Sequence, residues 1–80
     1  MEKILHIIKA DYLSGYKLFL VFDNGENRIF DFSQVYDKGI FQRLKSMDYF
    51  RNFTLDGYTV DWNNEIGFTP EFLLSNGVSA

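Results

Sequence analysis

Two pairs of short apolar runs, each pair joined by a glycine turn, dominate the pattern of hydrophobic and polar positions. The first pair covers residues 16–22 and 26–32 and is joined by Asp23-Asn24-Gly25. Asn-Gly between alternating apolar runs is typical of a β-hairpin, because glycine readily adopts the positive φ of a tight turn. The pattern therefore predicts a hairpin, and a three-residue loop would place a bulge at the glycine.

The length of that loop decides which residues of the first hairpin face each other. A three-residue loop pairs Leu18 with Phe30 and Tyr16 with Phe32, which joins apolar and aromatic side chains across the strands. A two-residue loop would set Leu18 against Asp31 instead. Because a slip of one residue moves every side chain to the opposite face, we expect the three-residue register. The carboxylate between the two phenylalanines then points outward or accepts backbone hydrogen bonds in the following turn.

A second hairpin is predicted from residues 53–55 and 58–62, joined by Asp56-Gly57. A two-residue loop would set Leu55 opposite Tyr58. Upstream, the isoleucine-rich residues 3–9 indicate a strand. Apolar side chains lie on both of its faces, which predicts a strand covered on two sides.

Four further segments carry helix or turn signals. Ser33 is a candidate N-cap for one short turn that Gly39 would end. Residues 40–47 place apolar side chains at helical spacing and predict a helix. Thr69-Pro70 predicts a last helix, with threonine as the cap and proline at the first helical position, and Asn76-Gly77 predicts its end. Residues 63–67 are predicted to form a turn.

Together these elements predict a single α+β domain spanning residues 1–80. It would contain a curled antiparallel sheet of about five strands, formed by two hairpins and an N-terminal strand, with two or three short helices. Aromatic residues make up 19% of the chain, which predicts that most of the rings lie in the core.

Composition removes several classes of function. The chain has no cysteine, which excludes disulfides and thiolate chemistry and favours a reducing compartment. The first residues lack the apolar core of a signal peptide, and no run approaches about eighteen apolar residues. We therefore expect a cytoplasmic bacterial protein that neither enters nor spans a membrane.

Candidate catalytic chemistry is sparse. The only histidine, His6, lies within the predicted first strand and is interpreted as structural. One histidine without cysteine makes a zinc site improbable, and the glycines occur singly in turns rather than in a phosphate-binding loop. Asp61 and Glu65 flank Trp62 and could form an acidic rim. The sequence predicts no cofactor, no metal and no enzymatic activity.

Two features remain as candidate contacts for a partner. Lys38, Arg43, Lys45 and Arg51 fall close together, in a segment that a nucleic acid could contact or that simply forms a solvated helix face. The net charge of −3 argues against a general phosphate-binding surface. Trp62 is either a core residue or an exposed contact for a protein partner.

Several short motifs, in this order and spacing, also resemble a known family. They are the apolar alternation ending in Phe22-Asp23-Asn24-Gly25-Glu26, then Phe30-Asp31-Phe32, Ile40-Phe41-x-x-Leu44, Phe50, Val60-x-Trp62-Asn63 and Thr69-Pro70-Glu71-Phe72-Leu73. Over nearly the whole chain this pattern is similar to the small bacterial proteins of domain of unknown function family 2442.

The resemblance implies an α+β fold and no catalytic residues. It also implies that some relatives carry an appended helix-turn-helix, whereas others are encoded beside a second small protein as in a toxin–antitoxin pair. Since this chain ends at Ala80, we expect no direct operator binding. The leading hypothesis is a non-enzymatic protein-interaction module, the neutralising partner of a small protein encoded nearby. The alternative is a nucleic-acid-binding or regulatory domain.

Overall fold

The computed structural model describes residues 4–63 and 65–79 and confirms the α+β class. In that part of the chain, the strands form two antiparallel sheets. The strands are β1 (Ile7–Tyr12), β2 (Lys17–Phe22), β3 (Asn27–Asp31), β4 (Thr54–Leu55), β5 (Val60–Trp62), β6 (Ile66–Gly67) and β7 (Val78–Ser79). Two 3₁₀ helices occupy Phe32–Gln34 and Gly39–Lys45, and the α-helices are α1 (Met47–Arg51) and α2 (Pro70–Asn76).

The larger sheet has the strand order β1-β2-β3-β7 and contains the first hairpin in the predicted register. Leu18 pairs with Phe30, and the Phe32 N–H donates to the Tyr16 carbonyl at 2.7 Å. Gly25 has φ +88° and closes a three-residue loop. Its positive φ is the reason for glycine at this position, because a Cβ would be strained there.

The first strand differs from its prediction in position and in cover. It runs over Ile7–Tyr12 rather than residues 3–9, of which residue 3 lies outside the described part of the chain. A β-bulge lies between Ile7 and Lys9. Ile7 is 2% exposed, whereas Ile8 is 60% exposed, so the expectation of cover on both sides was wrong. Only one face of β1 packs on the core.

The second hairpin exists, but its predicted register was wrong by two residues. Leu55 pairs with Val60 rather than with Tyr58. The reason lies in the loop, where Asp56 Oδ1 accepts hydrogen bonds at 2.9 Å from both the Tyr58 and the Thr59 N–H. This carboxylate stabilises a four-residue loop, so that strand pairing begins two residues later in the second strand than predicted. Because the shift is an even number of residues, each side chain keeps its expected face.

The helical segments follow their signals in part. The cap of the first 3₁₀ helix is Asp31, not Ser33, because Asp31 Oδ1 accepts from the Ser33 N–H at 3.0 Å. Of the helix predicted over residues 40–47, residues 40–45 lie in a 3₁₀ helix rather than an α-helix, and Met47 begins α1. The last helix is as predicted: Thr69 Oγ1 accepts from the Phe72 N–H at 3.2 Å, and Gly77 ends it.

The core lies between the inner face of the larger sheet and the helices and smaller sheet that cover it. Its centre is a cluster of aromatic rings in tilted, edge-to-face or stacked contact, consisting of Phe30, Phe32, Phe50, Trp62 and Phe68. The smaller sheet has the order β4-β5-β6, so β5 is its central strand. Strand β6 lies within the predicted turn at residues 63–67, of which residue 64 lies outside the described part.

Candidate functional site

Two of the four cations in the predicted basic segment are paired with acidic side chains. Lys45 Nζ lies 2.7 Å from Asp37 Oδ1 and 5.5 Å from the centre of the Tyr36 ring. The hydrogen bond and charge of Asp37 raise the pKa of Lys45 above its usual range. Lys38 forms no salt bridge with any residue in the described ranges. The ammonium group of Lys45 is thus held by Asp37 within the chain, whereas Lys38 is not paired with an acid in the described part of the chain.

The two arginines of the same segment are also engaged. Arg43 forms an ion pair with Glu65, which lies in the turn before β6. The Arg51 guanidinium lies over the Tyr12 ring, 5.0 Å from its centre, in a cation–π contact. Since three of the four cations have intramolecular partners, the segment presents much less free positive charge than its composition indicates.

Trp62 lies in the core and has no surface to offer a partner. It is 1% exposed, and its Nε1–H donates to the Phe50 carbonyl at 2.7 Å. Its prediction as a partner contact is therefore corrected to the alternative, a buried core residue. Its indole contacts the rings of Phe32, Phe50 and Phe68, because strand β5 is covered by the core.

His6 has the features of a structural residue. Its Nδ1 lies 3.1 Å from Asp23 Oδ2, and its backbone N–H donates to Asp23 Oδ1 at 3.2 Å. The ring also meets Tyr58 edge to face, with 5.8 Å between ring centres. These contacts tie the entry to β1 to the loop of the first hairpin, so the imidazole links two local elements.

The carboxylates of the smaller sheet are committed to hydrogen bonds. Asp61 is 6% exposed and accepts from Thr54 Oγ1 at 3.0 Å. Backbone N–H groups of Thr59 and Tyr58 lower the pKa of Asp56. Within residues 4–63 and 65–79, no three or more histidine, cysteine or acidic side chains are grouped to hold a metal ion.

A further organised surface, which sequence reasoning missed, is the outer face of the larger sheet. Side chains alternate along β2, so Lys17 and Phe19 point away from the core. The pairing sets Lys17 opposite Asp31, Phe19 opposite Ile29, and Ile29 opposite Val78. We call this set of outward side chains, with Lys9, Asp11, Val21 and Asn27, the outer face.

An apolar row of Phe19, Ile29 and Val78 crosses the outer face, and charged side chains lie at its β1 end and beside it at Lys17 and Asp31. Val78 is 63% exposed, and Phe19 and Ile29 are half-buried. A shallow groove of about 510 Å³ crosses this side of the sheet. It is lined by Leu13, Ser14, Lys17, Ile29, Asp31, Gln34, Asn76 and Val78. One signal could have revealed this surface, since β2 carries apolar residues at both its inward and its outward positions.

The comparisons with known proteins gave one match. A model of the family described as "Protein of unknown function (DUF2442)" matches residues 7–79. Neither the search of curated proteins nor the search of solved structures returned a match. Among the helices of the described residues, none combines the length and apolar character needed to cross a membrane.

Proposed function

Because the chain belongs to the family described as "Protein of unknown function (DUF2442)", we infer its role from its surfaces and propose a non-enzymatic protein-interaction module. The outer face of the larger sheet is the surface through which it binds. The observation that carries the proposal is the apolar row of Phe19, Ile29 and Val78, which crosses three adjacent strands on the side away from the core. Contiguous exposed apolar surface with a polar rim is characteristic of protein-binding sites.

The electrostatics support a protein ligand over a nucleic acid. The chain carries a net charge of −3, and its most basic segment pairs Lys45 with Asp37 and Arg43 with Glu65. A phosphate backbone is bound by clustered, available lysine and arginine side chains. The acidic balance instead favours a partner of opposite net charge, because complementary potentials steer two proteins together.

The proposed partner is a small protein encoded beside this one, and the module neutralises it in the manner of an antitoxin. Such a role requires a stable scaffold and one available surface, without catalytic groups. His6 and Asp61 support this view, because the histidine is held by Asp23 and the buried carboxylate by Thr54. The side chains of His6 and Asp61 therefore stabilise the fold through hydrogen bonds within the chain.

The test is co-expression with the product of the adjacent gene, followed by size-exclusion chromatography at micromolar concentration. The expected result is a single complex containing both proteins. In Phe19→Asp, a buried charge in the interface should abolish that complex. The matched control is Ile40→Asp, which introduces the same charge at an apolar residue that is 55% exposed outside the outer face.

Circular dichroism should first establish that both variants are folded, and the complex is tested afterwards. If wild-type protein and its neighbour elute separately, the proposed partner is wrong. If Phe19→Asp and Ile40→Asp retain the complex equally well, the outer face is not the binding surface. Loss of binding in Ile40→Asp alone would move the site to the 3₁₀ helix Gly39–Lys45.

A further inference from the structure

We propose that a second copy of this chain occupies the outer face when no other partner is bound, and that two larger sheets then pack face to face. This inference rests on the proposed function, since both assign binding to the same surface. It goes further because it names an occupant and a geometry. The argument starts from the strand register, which fixes the position of each outward side chain.

The outward side chains of β2 and β3 form three rows across the sheet. Lys17 and Asp31 form the first row, and Phe19 and Ile29 form the second. Val21 and Asn27 form the third row. The first row thus carries one positive and one negative charge on adjacent strands, next to an apolar pair.

A two-fold axis parallel to the strands, between β2 and β3, makes this pattern complementary to itself. Rotation about that axis sets β2 of one copy over β3 of the other, while each row stays at the same position along the strands. Lys17 of one copy then faces Asp31 of the second copy, and the reverse contact forms by symmetry. Phe19 faces Ile29 of the second copy, so apolar surface meets apolar surface.

The other in-plane two-fold axis, perpendicular to the strands, lacks this complementarity. It sets each strand over the same strand of the second copy and exchanges the first row with the third. Lys17 would then face Val21 of the second copy, and Asp31 would face its Asn27. Both charges would then be desolvated against uncharged side chains of the second copy, without the further opposite charge that the parallel axis supplies, which is unfavourable. The charge pattern therefore favours the parallel axis.

The size of the outer face limits the strength of the dimer. Four strands about 4.8 Å apart, with three outward positions about 6.6 Å apart on each long strand, give a footprint of roughly 400 Å² per copy. Stable interfaces bury about 800 Å² per partner. At the rim Asp11 faces Val78 of the second copy, a contact that adds little because solvent reaches both. We expect a weak dimer with a Kd on the order of 100 μM.

A charge exchange tests this geometry directly. Lys17→Asp would set an acid opposite Asp31 at each of the two symmetric contacts, and Asp31→Lys would set a lysine opposite Lys17 at each of them. Each variant alone should raise the dimer Kd by at least about tenfold, because like charges meet. An equimolar mixture of the two variants should form a heterodimer at about the wild-type Kd, since every facing pair is again opposite in charge.

Sedimentation equilibrium at about 10–500 μM, a range chosen for an interface of this size, measures these constants. Asp31→Lys also removes the acceptor for the Ser33 N–H, so Asp31→Asn serves as a control that keeps an acceptor oxygen without the charge. Asp31→Asn should weaken the dimer less than Asp31→Lys does. Circular dichroism establishes that each variant is folded.

Two results would overturn the dimer. One is a wild-type protein that stays monomeric over the whole range, and the other is a mixture of variants that associates no better than either alone. If this occurs while Phe19→Asp still abolishes the complex with the neighbouring protein, the second copy is wrong and the proposed function stands. If the charge exchange restores association but Phe19→Asp leaves the neighbour bound, the neighbour binds elsewhere than the outer face and the dimer stands.

Discussion

The central strands of the two sheets are buried in opposite ways. On β2 the side chains alternate, so Leu18 and Leu20 are completely buried whereas Phe19 between them is half-buried. On β5 all three residues are buried, including the charged Asp61. The larger sheet therefore uses one face to build the core, and the smaller sheet has its central strand covered on both faces.

This contrast separates stability from binding. A residue on the covered strand β5 has no solvent-facing side, and a change there must disturb the packing of the core. An outward residue on β2 or β3 can change with little effect on the core, yet it alters the surface that a partner meets. The predictions below test this separation, from the largest expected effect to the smallest.

The largest expected effect is at the centre of the covered strand. Trp62→Ala removes a ring that is 1% exposed and leaves a cavity among aromatic neighbours, which should lower the free energy of unfolding by about 3–5 kcal/mol. Phe19→Ala, on the outer face, should cost less than about 1 kcal/mol. Urea denaturation at low protein concentration measures both. Equal losses in the two variants would refute the contrast.

A second effect concerns the junction that attaches β7 to the larger sheet. A Cβ at Gly77 would lie 2.8 Å from the Leu73 carbonyl oxygen and 2.9 Å from the Arg28 Cβ. Gly77→Ala should therefore lower the free energy of unfolding by about 1–3 kcal/mol, because the backbone has to shift.

The matched control for this junction is Gly67→Ala in the smaller sheet. A Cβ there would meet its nearest neighbours at 3.8 Å and 3.9 Å, which are ordinary contact distances. Its cost should stay within about 0.5 kcal/mol. Thermal unfolding compares the two variants, and a Gly77→Ala protein as stable as wild type would contradict the close contact.

A smaller effect should come from the polar side of β5. Thr54→Val removes the hydroxyl that donates to Asp61 and leaves the buried carboxylate short of one hydrogen bond. The free energy of unfolding should fall by about 1–2 kcal/mol. Thr54→Ser keeps the hydroxyl and should lose less. If Thr54→Val and Thr54→Ser are equally stable, the hydrogen bond does not support the strand.

The smallest effect is a pH dependence in the loop of the second hairpin. The N–H groups of Thr59 and Tyr58 lower the pKa of Asp56 below its ordinary value of 3.8. The ionised carboxylate thus stabilises the folded state above that pH, and the contribution is lost as the pH falls through the lowered pKa. Asp56→Asn removes it.

Measured by thermal unfolding, wild type should be slightly more stable than Asp56→Asn near neutral pH. The difference should shrink below about pH 4, where the unfolded carboxyl is protonated. Because Asp56 is exposed, solvent screening keeps the difference small. A difference that grows on acidification would contradict this assignment.

The parts of the fold that could be predicted are those whose signals are local. Asn24-Gly25 specifies its own three-residue loop, and that loop sets the register of the first hairpin. Thr69 and Pro70 carry the cap and the first helical position of α2 in two consecutive residues. In both cases nearly all of the required geometry is contained in a few neighbouring residues.

The second hairpin was predicted in the wrong register because its loop depends on a side chain. Asp56-Gly57 is also typical of a two-residue turn, but the Asp56 carboxylate bonds two N–H groups beyond the glycine. Asp31 shows the same competition, since it caps the first 3₁₀ helix in place of Ser33. Side-chain acceptors of this kind redirect the backbone without changing the hydrophobic pattern.

Strands β6 and β7 were missed for a different reason. Each has only two residues, too few for an alternating pattern, and each forms through a partner strand. The pairing of β7 with β3 joins Val78 to Ile29, which are far apart in the chain. Such contacts depend on tertiary structure that local propensity does not contain.

The individual residues of the candidate sites could be predicted from the sequence, but their partners and exposure could not. The four cations were predicted as a candidate contact from their closeness in the sequence, but the state of Arg43 depends on Glu65, which lies 22 residues away. Trp62 was predicted either as a core residue or as a contact for a partner. The packing around its strand, β5, decides between the two, and local sequence does not contain it. The outer face emerges only when β2, β3 and β7 lie side by side.

The bulge in β1 has a consequence for how copies of this molecule can meet. An exposed strand edge invites another chain to add itself as a further strand, and repeated addition leads to open-ended polymers. Here the bulge between Ile7 and Lys9 bends that edge, and the Ile7 N–H is already donated to the Tyr58 carbonyl at 2.9 Å. The irregular edge discourages growth by strand addition at β1, whereas a two-fold pairing of copies through the outer face closes after two.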